Sequence, residues 1–86
     1  MNLQEMISNI EYLSDEQTIY VEQPWNISSN TIAQSDDEMI EVYIDGKHYA
    51  YFLEVFIIRE LITDLDDSLN IEDLIQRIIK YAVDDV

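Results

Sequence analysis

Apolar residues recur three or four positions apart near the start of the chain and again near its end. This spacing places them along one face of an α-helix and leaves polar residues on the other face. Asn2 and Glu5 have the residue types and separation of a capping box, so a helix is predicted from Leu3 to about Leu13. Asn70 is expected to cap a last helix. The residues of that helix predicted to face inward are Leu74, Ile75, Ile78, Ile79 and Ala82.

The middle of the chain alternates between apolar and polar residues, which is typical of β-strands. Residues 18–22 are mostly β-branched or aromatic and predict a strand. Pro24 ends this strand because proline has no N–H to donate to a neighbouring strand. Residues 39–44 and 47–52 are predicted to pair as a hairpin, since the Asp-Gly dipeptide at 45–46 favours a two-residue type I′ turn.

The turn also predicts the register of this hairpin. Residues that face each other across the two strands lie on the same side of the sheet, so one side is expected to be apolar. The expected pairs on that side are Ile44 with Lys47, Val42 with Tyr49 and Ile40 with Tyr51, and on the other side Tyr43 with His48 and Glu41 with Ala50.

Two segments are less regular. Residues 26–38 are mostly polar and predict a solvated loop, within which Ile32-Ala33 has the composition for a brief pairing. Residues 52–58 are largely apolar and fit a buried strand or a buried helix equally well. Helical spacing then returns, with Ile58, Leu61, Ile62 and Leu65 on one stripe.

These elements predict one α+β domain spanning residues 1–86. The expected order is α-β-β-β-α-α, with the helices packed on one face of a three-stranded antiparallel sheet. A chain of 86 residues has room for a single core, and an apolar content of 48% is too high for a disordered acidic tail. The first residues do not resemble a signal peptide and no apolar run is long enough for a bilayer, so we expect a cytoplasmic protein.

The charge of the chain is strongly acidic and unevenly distributed. Four basic and 19 acidic residues give a formal net charge of −15. Residues 1–46 contain ten acidic side chains and no basic one, and the four cations are Lys47, Arg59, Arg77 and Lys80. Such a chain repels phosphate, so neither direct nucleic-acid binding nor an anionic membrane surface is expected. The charge serves either solubility alone or the docking of a basic protein.

The sequence predicts no enzyme, cofactor or metal centre. One glycine cannot build a phosphate-binding loop, and the chain has no cysteine. His48, the only imidazole, is interpreted as a partly exposed strand residue rather than a general base. Residues 64–72 resemble the start of a calcium loop, but Leu69 stands where glycine is needed and Ile75 where a bidentate glutamate is needed. Weak cation binding by this loop is left open.

Aromatic residues near the acidic first half are the candidate contacts for a partner. Trp25 directly follows Pro24, and tryptophan is a common anchor of protein interfaces. The competing interpretation, which the sequence favours, is a Trp25 ring folded onto the core as a lid. Carboxylates around tyrosine rings suit a partner rich in arginine or lysine. The predicted contact residues are Trp25, Tyr20, Glu22, Asp36, Asp37 and Glu38.

Three blocks of the sequence resemble a family of small uncharacterised acidic bacterial proteins. These blocks are Ile19–Trp25, in which a strand ends in Pro-Trp, Tyr51–Glu60, which reads YFLEVFIIRE, and Ile79–Asp85 in the last helix. The family has no assigned reaction or ligand, so the resemblance implies no functional residue. In size, acidity and element order the chain also resembles immunity proteins of bacterial toxins and phage inhibitors of nuclease defence systems.

The predicted function is therefore inhibition of a basic partner by binding. The leading hypothesis is an immunity protein that neutralises a bacterial toxin domain, for example a nuclease. The alternatives are a phage-encoded DNA mimic that blocks a host defence nuclease, of the anti-CRISPR or anti-restriction type, and a homodimeric regulatory domain. Spread evenly over the roughly 5,300 Å² of surface expected for this mass, the charge is about threefold more dilute than on duplex DNA.

Overall fold

The described residues form three α-helices and four β-strands. The structure is a computed structural model that describes residues 1–35, 41–64 and 70–84, without the side chain of Glu41. In chain order the elements are α1 (Leu3–Ser8), a 3₁₀ turn (Ile10–Tyr12), β1 (Thr18–Glu22), β2 (Thr31–Gln34), β3 (Glu41–Ile44), β4 (Lys47–Glu54), α2 (Val55–Asp64) and α3 (Ile71–Asp84). The predicted α+β class is confirmed.

The start of α1 is confirmed, but its predicted end is wrong. Asn2 Oδ1 accepts from the backbone N–H of Glu5 at 2.8 Å, and Glu5 Oε1 accepts from that of Asn2 at 3.2 Å, which completes the capping box. The α-helix ends at Ser8, after which the Asn9 N–H is shared between the carbonyls of Glu5 at 3.1 Å and Met6 at 3.2 Å. The Asn9 side chain donates to the Glu5 carbonyl as well, at 2.8 Å. A short 3₁₀ turn continues the chain.

The sheet has four antiparallel strands rather than the predicted three, in the order β2-β1-β4-β3. The additional strand, β2, lies in the segment predicted to be a loop, and Ile32 and Ala33 pair with Tyr20 and Ile19 of β1. A strand with only two apolar residues gives little periodic signal. It forms because β1 has backbone groups on both edges to satisfy, and because Thr31 donates to the Met1 carbonyl from both its N–H and its hydroxyl.

The predicted hairpin is confirmed over the residues that the structure describes. Val42 pairs with Tyr49 and Tyr43 with His48, as the turn predicted, and the flanking pairs Glu41–Ala50 and Ile44–Lys47 agree as well. The turn residues Asp45 and Gly46 have φ angles of 51° and 77°, and a type I′ turn requires positive values at both positions. The predicted Ile40–Tyr51 pair lies outside the described residues.

The junction left open at residues 52–58 is a strand that passes directly into a helix. Strand β4 ends at Glu54 and α2 begins at Val55, whose N–H donates to the Gln17 carbonyl at 3.0 Å. Opposite this end of β4, Ile19 pairs with Leu53 and Tyr20 with Tyr51, so Phe52 is an extra residue in a β-bulge.

The helices pack against one face of the sheet. Strand residues Ile19, Val21, Phe52 and Leu53 share one buried cluster with apolar residues of α1, α2 and α3. The alternate strand residues form a second cluster on the other face, where Tyr20, Val42 and Tyr49 are buried and Ile32 and Tyr51 are partly buried. Strand β1 is thus covered on both faces.

Candidate interaction surface

Trp25 lies where β1 leaves the sheet, directly after the cis Gln23–Pro24 peptide bond. Its ring packs edge-on against Phe52 with a centroid separation of 5.0 Å, and its Nε1 donates to the Val21 carbonyl at 3.2 Å. The ring is half-buried and packs against the main core cluster. This position agrees with the interpretation of Trp25 as a lid on the core. The ring is held both by packing and by a hydrogen bond.

The loop after Trp25 is closed by its own hydrogen bonds. The backbone N–H of Asn26 donates to Ser29 Oγ at 2.8 Å, and Ser29 Oγ donates to the Pro24 carbonyl at 2.9 Å. The same loop accepts hydrogen bonds from the first turn of α1, whose N–H groups have no partner within the helix: Leu3 donates to the Ser29 carbonyl and Gln4 to that of Ile27. The Trp25 segment is therefore tied to the folded domain at several points.

An apolar groove runs between this segment and the last helix. Its lining is formed by Gln23, Pro24 and Trp25 on one side and by Ile79 and Val83 of α3 on the other, around a volume of about 650 Å³. Ile79 is 9% exposed and belongs to the core, whereas Val83 is 56% exposed. We call these five residues the Trp25 groove. Val83 was not among the residues predicted to face inward. Its position could have been noticed in the sequence, because it is an apolar residue that lies off the buried stripe of α3.

The structure divides the predicted contact residues. Trp25 and Glu22 are half-buried, the latter at the end of β1 beside the groove residue Gln23. Tyr20 has no exposed surface because both faces of β1 are covered, so it is not available to a partner. Asp36, Asp37 and Glu38 lie outside the described residues.

Arg59 of α2 forms hydrogen bonds with the 3₁₀ turn that follows α1 and with the residue after this turn. Its Nη2 donates to the carbonyls of Ile10 at 3.0 Å and Glu11 at 3.1 Å, and also to that of Leu13. Its Nη1 forms an ion pair with Asp15. The guanidinium supplies the donors that carbonyls at the end of a helix lack.

Three further carboxylates line pockets together with Arg59. Glu11 lines a pocket with Arg59 between α1 and α2, while Glu60 and Asp64 line another pocket with it on α2. Glu16 follows Asp15 in the chain, and all five carboxylates are exposed. We call this set the acidic face: Glu11, Asp15, Glu16, Glu60 and Asp64.

Tyr12, beside the acidic face, was missed by the sequence analysis. Its side chain is 78% exposed and follows Glu11 in the 3₁₀ turn. The signal was available, because Tyr12 lies off the apolar stripe that ends in Ile10 and Leu13. An exposed ring among carboxylates suits contact with a guanidinium or an ammonium group.

The described residues do not gather side chains for metal chemistry. Within residues 1–35, 41–64 and 70–84, no group of three or more His, Cys, Asp or Glu side chains is placed to hold a metal ion. Asn70 Oδ1 accepts from the Asp73 N–H at 2.8 Å, which confirms the predicted cap of α3. Most of the calcium-like loop lies outside the described residues. His48 stacks on Tyr43 with ring centroids 4.9 Å apart.

In the part of the chain that the structure describes, none of the helices has the length and apolar content needed to cross a membrane. Comparison of the chain with protein-family models, curated proteins and solved structures found no match. No property of a known protein therefore transfers to this chain through these comparisons.

The unbalanced charge has a consequence for stability. Because like charges repel and salt screens them, added sodium chloride is expected to stabilise the fold. Between about 20 and 500 mM, the Tm measured by circular dichroism should rise by roughly 5 °C, equivalent to about 1 kcal/mol for a domain of this size. A Tm that falls with salt would mean that attractive ion pairs outweigh the repulsion.

Proposed function

We propose that the protein acts by binding, as a stoichiometric inhibitor that covers a basic surface of another protein. The observation that carries the proposal is the excess of exposed, unpaired carboxylates. Ten of the twelve acidic side chains whose burial the structure describes are exposed. Among these twelve, Asp15 alone forms an ion pair with a lysine or arginine.

Apart from Glu5, which completes the capping box of α1, and Asp15, which pairs with Arg59, these carboxylates do little for the free fold. Exposed charges without partners repel one another and oppose the compact state, although they also favour solubility. A basic partner would remove the repulsion and would be drawn to the protein by long-range attraction, which raises association rates. An immunity protein that meets a toxin domain in the cell has a clear use for fast association, and this is the role we favour.

The charge density gives less support to a DNA mimic. Dividing the accessible surface of 5392 Å² by the net charge leaves about 360 Å² per charge, against about 110 Å² on duplex DNA. A homodimer is also disfavoured, because it would bring two surfaces of charge −15 together. The immunity-type role needs only a complementary patch on the partner.

Affinity capture tests the proposal. The protein is immobilised, incubated with lysate from cells that carry its neighbouring genes, and eluted in steps of increasing sodium chloride. We expect one protein with a basic isoelectric point to elute at high salt, to rebind in purified form at a fixed stoichiometry and to lose its activity when bound. Capture of only acidic or neutral proteins, held equally well at all salt concentrations, would contradict the proposal.

A further inference from the structure

The Trp25 groove combines a rigid wall with an accessible apolar wall. The Trp25 ring is held by Phe52 and by the Val21 carbonyl, so it keeps its position without a ligand. Val83 opposite is 56% exposed. The groove is open and has a volume of about 650 Å³. An apolar side chain that enters it removes apolar surface of the lining from water, which favours binding.

We propose that this groove receives an apolar side chain from a lysine- and arginine-rich segment of a partner protein. The inference rests on the proposed function and specifies where and how the basic partner is anchored. The apolar side chain would pack between Trp25 and Val83, while the flanking cations would meet nearby carboxylates.

The charge of the protein favours a basic segment as the ligand of this groove over a second copy of the chain or a neutral segment. A second copy of the chain would bring a further charge of −15 to the same surface, and a neutral segment would gain nothing from the acidic field. The β1 wall ends beside a carboxylate, because Glu22 directly precedes the groove residue Gln23. Asp84 follows Val83 in the chain but lines the neighbouring groove together with Arg77 and Lys80.

The basic residues of α3 do not line this groove. Arg77 and Lys80 line a separate groove together with Tyr81, Asp84 and Leu61 of α2. Among the residues that the structure describes, the lining of the Trp25 groove contains no charged side chain. A cationic segment therefore reaches the groove without opposing charges within its lining.

The single tryptophan of the chain reports on occupancy, because it is Trp25 itself. The probe is a short fluorescein-labelled peptide of lysine and arginine with two central leucines and no aromatic residue. A second peptide carries serine at the two leucine positions. Binding is measured by anisotropy, and in parallel an unlabelled form of each peptide is titrated while Trp25 emission and its quenching by acrylamide are followed.

Two matched variants locate the contact. Val83→Arg places a cation in the groove, and Tyr81→Arg makes the same change in net charge at an exposed position of the same helix outside the groove. We expect the leucine peptide to shift Trp25 emission and protect it from acrylamide. We also expect Val83→Arg to weaken this binding about tenfold or more, and Tyr81→Arg to weaken it less than about threefold.

The controls separate the inference from the proposed function. Circular dichroism checks that each variant is folded, and Gln23→Arg on the opposite wall replaces Val83→Arg if the latter does not fold. Salt-sensitive binding that is equal for both peptides, or equally weakened in both variants, would overturn the groove as the anchor and leave the proposed function standing. If neither basic peptide binds at low salt, the inference is overturned and the proposed function loses its physical basis as well.

Discussion

Replacing Arg59 with alanine is expected to lower the free energy of unfolding by about 2–4 kcal/mol. The variant removes hydrogen bonds to the carbonyls of Ile10, Glu11 and Leu13 and the ion pair with Asp15. Hydrogen bonds from a charged donor are stronger than neutral ones. The Ile10 carbonyl keeps a bond from the Leu13 N–H at 3.2 Å, but no backbone donor is described for the carbonyls of Glu11 and Leu13. Urea denaturation followed by circular dichroism gives the change directly.

Arg77→Ala is the matched control for this prediction. Arg77 is exposed and forms no ion pair among the described residues, so its replacement should change the unfolding free energy by less than about 0.5 kcal/mol. Both variants make the net charge more negative by the same amount. Equal losses in the two variants would show that general repulsion, rather than the hydrogen bonds of Arg59, accounts for the effect.

Neutralising part of the acidic face should slow association with the basic partner about tenfold at low salt. The variant Glu11→Gln/Glu16→Gln/Glu60→Gln removes three exposed negative charges, each without a described ion pair, and keeps the shape of the side chains. Asp15 is left intact because it is paired with Arg59. The association rate is measured by stopped-flow fluorescence with the purified partner.

A charge-conserving variant at the same three positions provides the control. Glu11→Asp/Glu16→Asp/Glu60→Asp shortens the side chains and retains their charge, so its association rate should stay within about twofold of the original. A loss of rate in the aspartate variant as large as in the glutamine variant would mean that side-chain contacts, rather than charge, control the encounter.

Features encoded by neighbouring residues were predictable from the sequence. The capping box at Asn2 and Glu5 and the hairpin turn at 45–46 each depend on residues a few positions apart, and both are confirmed. The end of α1 was predicted too late because the apolar spacing continues through Ile10 and Leu13, while the backbone changes to a 3₁₀ turn at Ile10–Tyr12. Strand β2 was predicted only as a brief pairing of Ile32-Ala33 within a loop; that pairing is confirmed, but the full strand depends on β1 rather than on its own pattern.

The candidate site depends on contacts between distant parts of the chain, which periodicity does not encode. Trp25 could be identified as a candidate contact because it directly follows Pro24 at the predicted end of a strand. Its groove could not be predicted, because the opposite wall is formed by Ile79 and Val83 of the last helix. Tyr20 was predicted to be a contact because it lies close in sequence to the Trp25 loop. The prediction is wrong because the second face of β1 is also covered, which strand alternation does not reveal. The role of Arg59 likewise depends on a segment far from it in the sequence.

The dependence of the association rate on ionic strength tests the central claim most directly. With the captured partner in purified form, the rate constant should fall at least about tenfold between roughly 50 and 500 mM sodium chloride, while the dissociation rate changes little. A rate constant that changes less than about twofold over this range would contradict the account, because carboxylates that meet a cationic surface must lose their attraction when salt screens it.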